Sequence, residues 1–135
     1  MTTNVESLPV RSSRGMFWTG WALSGLPVLF IVVMGSFAAM HPEQVQKDFA
    51  KYGYPDGFMN KMLFIEAACL VLYIIPQTAV LGAILFTGYL GGAVATHARV
   101  GEANWIAPVI VGVVMWLGLW FRDARIRSLT PLRRI

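Results

Sequence analysis

A long uncharged stretch near the start of the chain sets the first limit on its fold. From Met16 to Met40 the sequence contains no Asp, Glu, Lys or Arg. A helix of about 20 apolar residues crosses a hydrocarbon core about 30 Å thick, so this stretch is long enough to span a membrane. It also exceeds the roughly 7–15 apolar residues of a signal peptide core, and we therefore expect a membrane span rather than a cleaved leader.

Three further apolar segments follow at short intervals. They run from about Phe58 to Ile75, from Thr78 to Ala98 and from Trp105 to Phe121. Pro76 marks a tight turn between the first two, which predicts an antiparallel hairpin. With 56% of its 135 residues hydrophobic and 13% charged, the chain has no length left for a separate soluble domain. We expect an all-α membrane protein whose four-transmembrane-helix bundle covers residues 16–123.

The polar segment from His41 to Gly57 carries the punctuation of a short helix. Pro42 suits a first helical turn, and Gly53 suits a helix end. One apolar stripe is formed by residues spaced at i, i+4 and i+7, namely Val45, Phe49 and Tyr52. This pattern predicts an amphipathic helix between transmembrane helices 1 and 2 that lies on the membrane surface or caps the bundle. A packed structural cap is favoured over a substrate lid.

The basic residues predict the orientation of the bundle. Seven of the eleven Lys and Arg residues lie near the termini, as Arg11, Arg14, Arg122, Arg125, Arg127, Arg133 and Arg134. By the positive-inside rule both termini should be cytoplasmic, with residues 1–15 as a flexible tail and residues 124–135 as a basic tail. These charges flank apolar segments and form no soluble stripe, so we expect the lipid bilayer, and no nucleic acid, as their partner.

Glu66 is the one acidic residue deep within a predicted span. Ionisable groups at that depth are costly, and they face the interior of a bundle where they bind a ligand, exchange protons or pair with another group. One hypothesis makes Glu66 a proton-exchanging group or a ligand anchor. The other makes it a structural hydrogen-bonding partner between helices. The residues alone leave both open.

A second polar group lies at the end of the third predicted span. Tyr89 and Thr96 share a helical face below His97 and Arg99. His97 can exchange protons or hydrogen-bond a quinone carbonyl, and Arg99 can attract an anion. The alternative is an interfacial histidine beside an arginine that extends its charge to the membrane surface. Whether either residue pairs with Glu66 is not decided by the spacing.

The remaining patterns concern packing, metals and thiols. Gly88 and Gly92 form a GxxxG spacing, which predicts close helix packing within the bundle or between subunits. His41 and His97 are the only histidines, so a multi-histidine metal site is not expected. Cys69 is the only cysteine, which excludes an intrachain disulfide.

Several separated motifs together resemble the DoxX-like family of small bacterial membrane proteins. The motifs are Tyr52-Gly53-Tyr54-Pro55, Glu66, Pro76, the run from Gly88 to His97, and Arg99-Val100-Gly101. The resemblance covers about residues 16–123 and implies a four-helix bundle in the bacterial inner membrane. It also implies a link to quinones or to membrane oxidoreductase assemblies, as in better-studied relatives. With Cys69 alone, the chain departs from cysteine-dependent relatives and lacks their dithiol.

Three functional hypotheses follow. The leading one is a redox-associated subunit that binds a quinone or another small lipophilic ligand through Glu66, Tyr89 and His97. The second is a small-molecule or proton-coupled transporter in which Glu66 is the coupling group. The third is a scaffold subunit of a membrane complex, with a homo-oligomer or a membrane redox partner. The sequence does not decide whether the chain is an enzyme.

Overall fold

A computed structural model describes residues 13–129, and within them the chain forms six α-helices and no strands. A 3₁₀ turn at Ala103–Trp105 precedes the fifth helix. The helices are α1 (Arg14–Met40), α2 (Pro42–Lys51), α3 (Phe58–Ile74), α4 (Ala79–Arg99), α5 (Ile106–Arg122) and α6 (Ala124–Leu129). Residues 1–12 of the predicted N-terminal tail and residues 130–135 of the predicted C-terminal tail lie outside the described part of the chain.

Three segments are long and apolar enough to cross a membrane, which makes this a multi-pass membrane protein. They are α1, α4 and the segment Ala103–Arg122, which joins the 3₁₀ turn to α5. The main packing order is α1 against α5, α5 against α4, and α4 against α3. The remaining long helix, α3, has 17 residues and is about 25 Å long at 1.5 Å per residue.

The ends of α1 and α2 show why these helices begin and end where they do. Ser13 accepts a hydrogen bond from the Met16 amide at 3.3 Å, which satisfies one unpaired donor of the first turn of α1. Pro42 lies in the first turn of α2, where a missing N–H costs nothing. Gly53, predicted as the helix end, has φ +83°, a conformation that other residues rarely adopt.

The closest backbone contacts lie near the ends of α3 and α5, on the side where α1 begins and α6 follows α5; we call this the terminal end. The Tyr73 side chain is fully buried there. Its hydroxyl donates to the Met115 carbonyl oxygen at 2.8 Å and lies 3.0 Å from Ser24 Oγ. These contacts join α3 to α5 and to α1, so one side chain connects three helices.

Glycines allow the backbones to approach closely at the terminal end. A Cβ on Gly118 would lie 2.5 Å from Ser24 Oγ, and a Cβ on Gly82 would overlap the Tyr73 backbone. Arg122 completes this end: it donates to the Tyr73 carbonyl oxygen at 2.8 Å, and its guanidinium lies 4.8 Å from the Trp21 ring centroid. The close contacts therefore lie at glycines other than the predicted GxxxG pair.

Part of the predicted C-terminal tail is folded. Residues 124–129 form α6, and Ile126 is buried in the core. Arg127 donates to the carbonyl oxygens of Trp120 at 3.0 Å and Phe121 at 2.7 Å. These two acceptors lie in the last turn of α5, where carbonyl groups lack helical partners. The arginine thus attaches α6 to the end of α5.

Candidate functional site

A cavity of about 540 Å³ lies between α3 and α4, at the end of the bundle covered by α2 and residues 100–105. We call this end the cap end. Four side chains with polar groups line the mouth of the cavity, namely Tyr52, Tyr54, Thr96 and His97. Its deeper walls are mainly apolar and include Met62, Ile65, Cys69 and Leu85. A cavity with few polar groups and an apolar interior suits a small ligand with one polar end.

The loop after α2 supplies one side of the mouth. The Tyr54 ring stacks on Phe58, with ring centroids 4.6 Å apart and an angle of 6° between planes. Its hydroxyl lies 2.6 Å from Thr96 Oγ1. Because the Thr96 hydroxyl bonds to the Gly92 carbonyl oxygen at 2.9 Å, Tyr54 is the donor to Thr96. This chain of bonds holds the loop against α4.

Glu102 is the centre of a polar network at the cap end. Its carboxylate forms an ion pair with Lys51, accepts from the Tyr52 hydroxyl at 2.8 Å, and lies 2.9 Å from His97 Nδ1. These partners, with the bond to Lys51 foremost, lower the pKa of Glu102 to about 2. Burial and the bond to Glu102 raise the pKa of Tyr52 to about 12. The network is therefore anionic at Glu102 and neutral at Tyr52 near pH 7.

The geometry at Glu102 also orients His97. A carboxylate can only accept hydrogen bonds, so Nδ1 is assigned as the protonated nitrogen that donates to Glu102. The second ring nitrogen, Nε2, is then available to other partners. His97 lines the cavity, and a carboxylate bonded to one side of an imidazole is a common way of setting its tautomer.

Arg99 lies outside the cavity and attaches the cap to α4; by the cap we mean α2 and the loop of residues 52–57 that follows it. Its guanidinium donates to the Tyr52 carbonyl oxygen. The end of α2 is therefore held by two contacts. Arg99 bonds to the backbone at Tyr52, and Lys51 forms an ion pair with Glu102. Of the four polar residues predicted on α4, Tyr89, Thr96 and His97 line the cavity and Arg99 does not.

Glu66 lies behind the cavity wall. It is half-buried on α3, and a Cβ on Gly35 of α1 would lie 4.0 Å from its Oε2. The Tyr89 side chain lines the cavity and lies close enough to Glu66 for the two groups to interact electrostatically. In the described chain, the His97 side chain bonds to Glu102 and the Arg99 side chain bonds to the Tyr52 carbonyl oxygen. Glu66 interacts instead with Tyr89. Tyr89 thus separates the cavity from Glu66.

The predicted GxxxG pair lies on the cavity wall. Gly88 and Gly92 both line the cavity, and a Cβ on either would find no atom within 4 Å. Their missing side chains leave open space in this chain instead of a helix contact. Packing between subunits at these glycines stays a prediction.

Sequence reasoning missed Glu102, Tyr52 and Tyr54 as site residues. The sequence pattern gives Glu102 no role, and it places Tyr52 only in the apolar stripe and, with Tyr54, in a family motif. The available signal was an acidic residue five positions after His97, but its link to α2 depends on the folded chain. Within residues 13–129, no three His, Cys, Asp or Glu side chains are placed to hold a metal ion.

Comparison with protein families supports the resemblance noted above. A model of the DoxX-like family matches residues 22–118, which is more than half of the chain and includes α2, α3, α4 and most of α1 and α5. Comparisons with curated proteins and with solved structures found no match. The matched region contains the cavity, the Glu102 network and Glu66. On this match, the chain belongs to the DoxX-like family.

Proposed function

We propose that this protein is a redox-associated membrane subunit that binds a quinone, or a small lipophilic molecule of similar shape, in the cavity between α3 and α4. The observation that carries the proposal is the cavity itself, about 540 Å³ in volume. Ligand sites for small molecules are typically about 300–1,000 Å³ and mainly apolar, with a few polar groups that fix orientation. A quinone has an apolar ring and tail and presents carbonyl oxygens at its polar end.

The orientation of His97 supports a ligand of this class. With Nδ1 bonded to Glu102, Nε2 accepts from a quinol hydroxyl when the ring is neutral and donates to a quinone carbonyl when the ring is protonated. His97 therefore fits both redox forms of the same ligand. In this proposal it is the polar contact at the mouth, while Thr96 and Tyr54 hold the surrounding wall.

Tyr89 and Glu66 are proposed as the second polar contact. Tyr89 lines the cavity and interacts with Glu66 on its other side. A phenol between a ligand and a carboxyl group can relay a proton when the ligand changes redox state. The electrons would come from or go to a membrane redox partner, because the proposal assigns no electron transfer to these side chains.

The membrane topology forms part of the proposal. The 17 residues of α3 reach the lower limit of about 17 for a spanning helix, and its packing against α4 supports a fourth span. Arg14, Arg122, Arg125 and Arg127 all lie at the terminal end, which the positive-inside rule makes cytoplasmic. The proposed location is a bacterial inner membrane, with the cap end facing outward.

A pair of glycine variants tests ligand binding in the cavity. Gly92→Leu places a side chain in the cavity, where a new Cβ meets nothing within 4 Å. Gly91→Leu is the matched control: it lies on the same helix, also has open space, and faces a different groove. Binding of a short-tail ubiquinone analogue to full-length protein in nanodiscs is measured by titration. We expect saturable binding that Gly92→Leu weakens at least about tenfold and that Gly91→Leu leaves unchanged.

A second pair of variants tests the polar contacts. His97→Ala and Glu66→Gln should each weaken quinone binding, because each removes a proposed polar contact to the ligand or to Tyr89. Wild-type protein that binds none of the ubiquinone and menaquinone analogues tried would end the proposal. So would equal binding by the Gly92→Leu and wild-type proteins.

Proton-coupled transport is a second candidate function, favoured by one observation. Glu66 lies in the middle of α3 against Gly35 of α1, and α1 and α3 make few direct contacts with each other beyond the bond between Tyr73 and Ser24 at the terminal end. Two helices in loose contact around an acidic residue can move relative to each other as it gains and loses a proton. Substrate-driven proton uptake into liposomes that Glu66→Gln abolishes would favour transport; quinone binding without flux would favour the redox proposal.

A further inference from the structure

A second groove, of about 740 Å³, lies on the opposite side of α4 from the cavity. Its floor is formed by Gly91 and Gly112, which have no side chains, and its walls include Trp116 and Trp120. The lining is almost entirely apolar, since Thr87 is its only polar side chain apart from the indole nitrogens, and Thr87 Oγ1 already accepts from Trp116 Nε1 at 2.9 Å. Nothing in this lining suits a soluble polar ligand.

The length of the groove matches one leaflet of a bilayer. Along α5 it runs from Val109 to Phe121, which is about 18 Å at 1.5 Å per residue. Half of a hydrocarbon core about 30 Å thick is about 15 Å. On α5 the groove begins at the terminal end, and at Val109 it extends about 5 Å past the middle of the segment Ala103–Arg122 at 1.5 Å per residue. A single acyl chain that enters from that leaflet would follow it over its full length.

The terminal end of the groove is basic. Ile126 of α6 closes the groove, and it stands between Arg125 and Arg127 in the sequence. Arg125 is exposed, and Arg127 is held by its bonds to the carbonyl oxygens of Trp120 and Phe121. Arg127 uses one of its nitrogens for both bonds, which leaves other N–H groups for an anion. Asp123 is the one acidic residue in the described chain from α5 to residue 129.

We infer that this groove is a binding site for an anionic phospholipid. One acyl chain lies along Gly91 and Gly112, and the phosphate group lies against Arg125 and Arg127. Basic pockets beside spanning helices on the cytoplasmic side bind anionic headgroups, and Trp120, two residues before the end of α5, lies where acyl chain and headgroup meet. A second copy of the chain is a less suitable occupant, because its own α6 would bring a second pair of arginines to this end.

The test compares the binding of two lipids that have the same acyl chains but an anionic headgroup in one and a zwitterionic headgroup in the other. Full-length protein in a mild detergent is mixed with equal amounts of phosphatidylglycerol and phosphatidylcholine carrying the same acyl chains, and native mass spectrometry counts the adducts. Wild-type protein should retain mainly phosphatidylglycerol. Arg125→Gln should reduce that preference about fivefold, whereas Arg125→Lys, which keeps the charge, should preserve most of it.

The two glycine variants exchange their roles here: Gly91→Leu is the test variant and Gly92→Leu is the control. Gly91→Leu fills the groove and should lose both lipids, while Gly92→Leu, which faces the α3–α4 cavity, should retain them. Equal retention of the two lipids by wild-type protein, or full retention by Gly91→Leu, would overturn the inference. A lipid-free dimer that Gly91→Leu dissociates would show that the groove is a protein interface instead. Because quinone binding is measured separately at Gly92, the two proposals fail independently.

Discussion

The Tyr52 hydroxyl donates to Glu102 Oε2 at 2.8 Å, across 50 residues of sequence. This bond joins the end of α2 to the loop between α4 and the 3₁₀ turn. Lys51 and His97 bind the same carboxylate. Glu102 therefore attaches the cap over the cavity mouth, together with Arg99 and the bond between Tyr54 and Thr96.

Replacing Glu102 by Gln should loosen the cap. The amide keeps the shape of the side chain but loses the charge that pairs with Lys51 and strengthens the bonds from Tyr52 and His97. We expect faster hydrogen–deuterium exchange in residues 52–57 and little change in α5. Glu43→Gln, the same change in the first turn of α2, is the control; equal exchange rates in both variants would contradict the role of Glu102.

The attachment of the cap should depend on pH at both extremes. The pKa of Glu102 is lowered from its usual 4.5 to about 2, chiefly by its bond to Lys51. Its contribution is therefore fully present above about pH 4.5 and is lost as the pH falls towards 2. The pKa of Tyr52 is raised to about 12 from 10.0, so its contribution is present below pH 10 and is lost as the pH rises towards 12.

Hydrogen–deuterium exchange of residues 52–57 across this range, corrected for the intrinsic effect of pH, checks that prediction. Protection should be level between about pH 5 and 10 and should fall outside it. The Glu102→Gln protein should lack the acidic fall. A wild-type cap that loosens between pH 5 and 7 would show that another group controls it.

Removing the Tyr73 hydroxyl should destabilise the terminal end. Tyr73→Phe loses the bonds to the Met115 carbonyl and to Ser24 Oγ in a fully buried position. Hydrogen bonds between membrane helices contribute about 1 kcal/mol, and we expect a loss of that order in the free energy of unfolding in detergent micelles. Adding Ser24→Ala should then cost less than it does alone, because its partner is already gone. Fully additive losses would contradict the coupling.

Two glycines on α4 should tolerate alanine very differently. At Gly82 a Cβ would overlap the Tyr73 backbone, which no change of rotamer can relieve, whereas at Gly88 it would meet nothing within 4 Å. Gly82→Ala should therefore lower the free energy of unfolding by about 1–3 kcal/mol, while Gly88→Ala is neutral or slightly stabilising. Similar melting temperatures for the two variants would mean that α3 and α4 are less closely packed than described.

Helix positions were largely predictable because each follows from local properties. The predicted segments Phe58–Ile75 and Thr78–Ala98 differ from α3 and α4 by one residue at their boundaries. α1 begins at Arg14, two residues before the predicted start at Met16. The Ser13 side chain caps the helix there, although the residues before Met16 carry no apolar pattern. The 3₁₀ turn at Ala103–Trp105 was also missed, since nothing in three residues distinguishes it from a loop.

The site was predictable only in part. The 3.6-residue period places Tyr89, Thr96 and His97 near one face of α4, and all three line the cavity. Glu66 was expected to face the bundle, and it does, but its neighbour Tyr89 belongs to another helix and could not be paired with it from spacing. Gly88 and Gly92 carry a packing motif, yet in this chain they leave a cavity wall open.

By itself the sequence determined that the chain is helical, enters a membrane more than once, and carries a surface helix before α3. Long apolar runs, a proline-marked turn and an amphipathic stripe act over neighbouring residues, so they can be read without the fold. Only the tertiary structure decided that Glu102 attaches α2 to α4, that Tyr73 joins three helices, and that α4 separates a polar-mouthed cavity from an apolar groove. Those features depend on distances between residues far apart in the chain, which packing sets and local patterns do not contain.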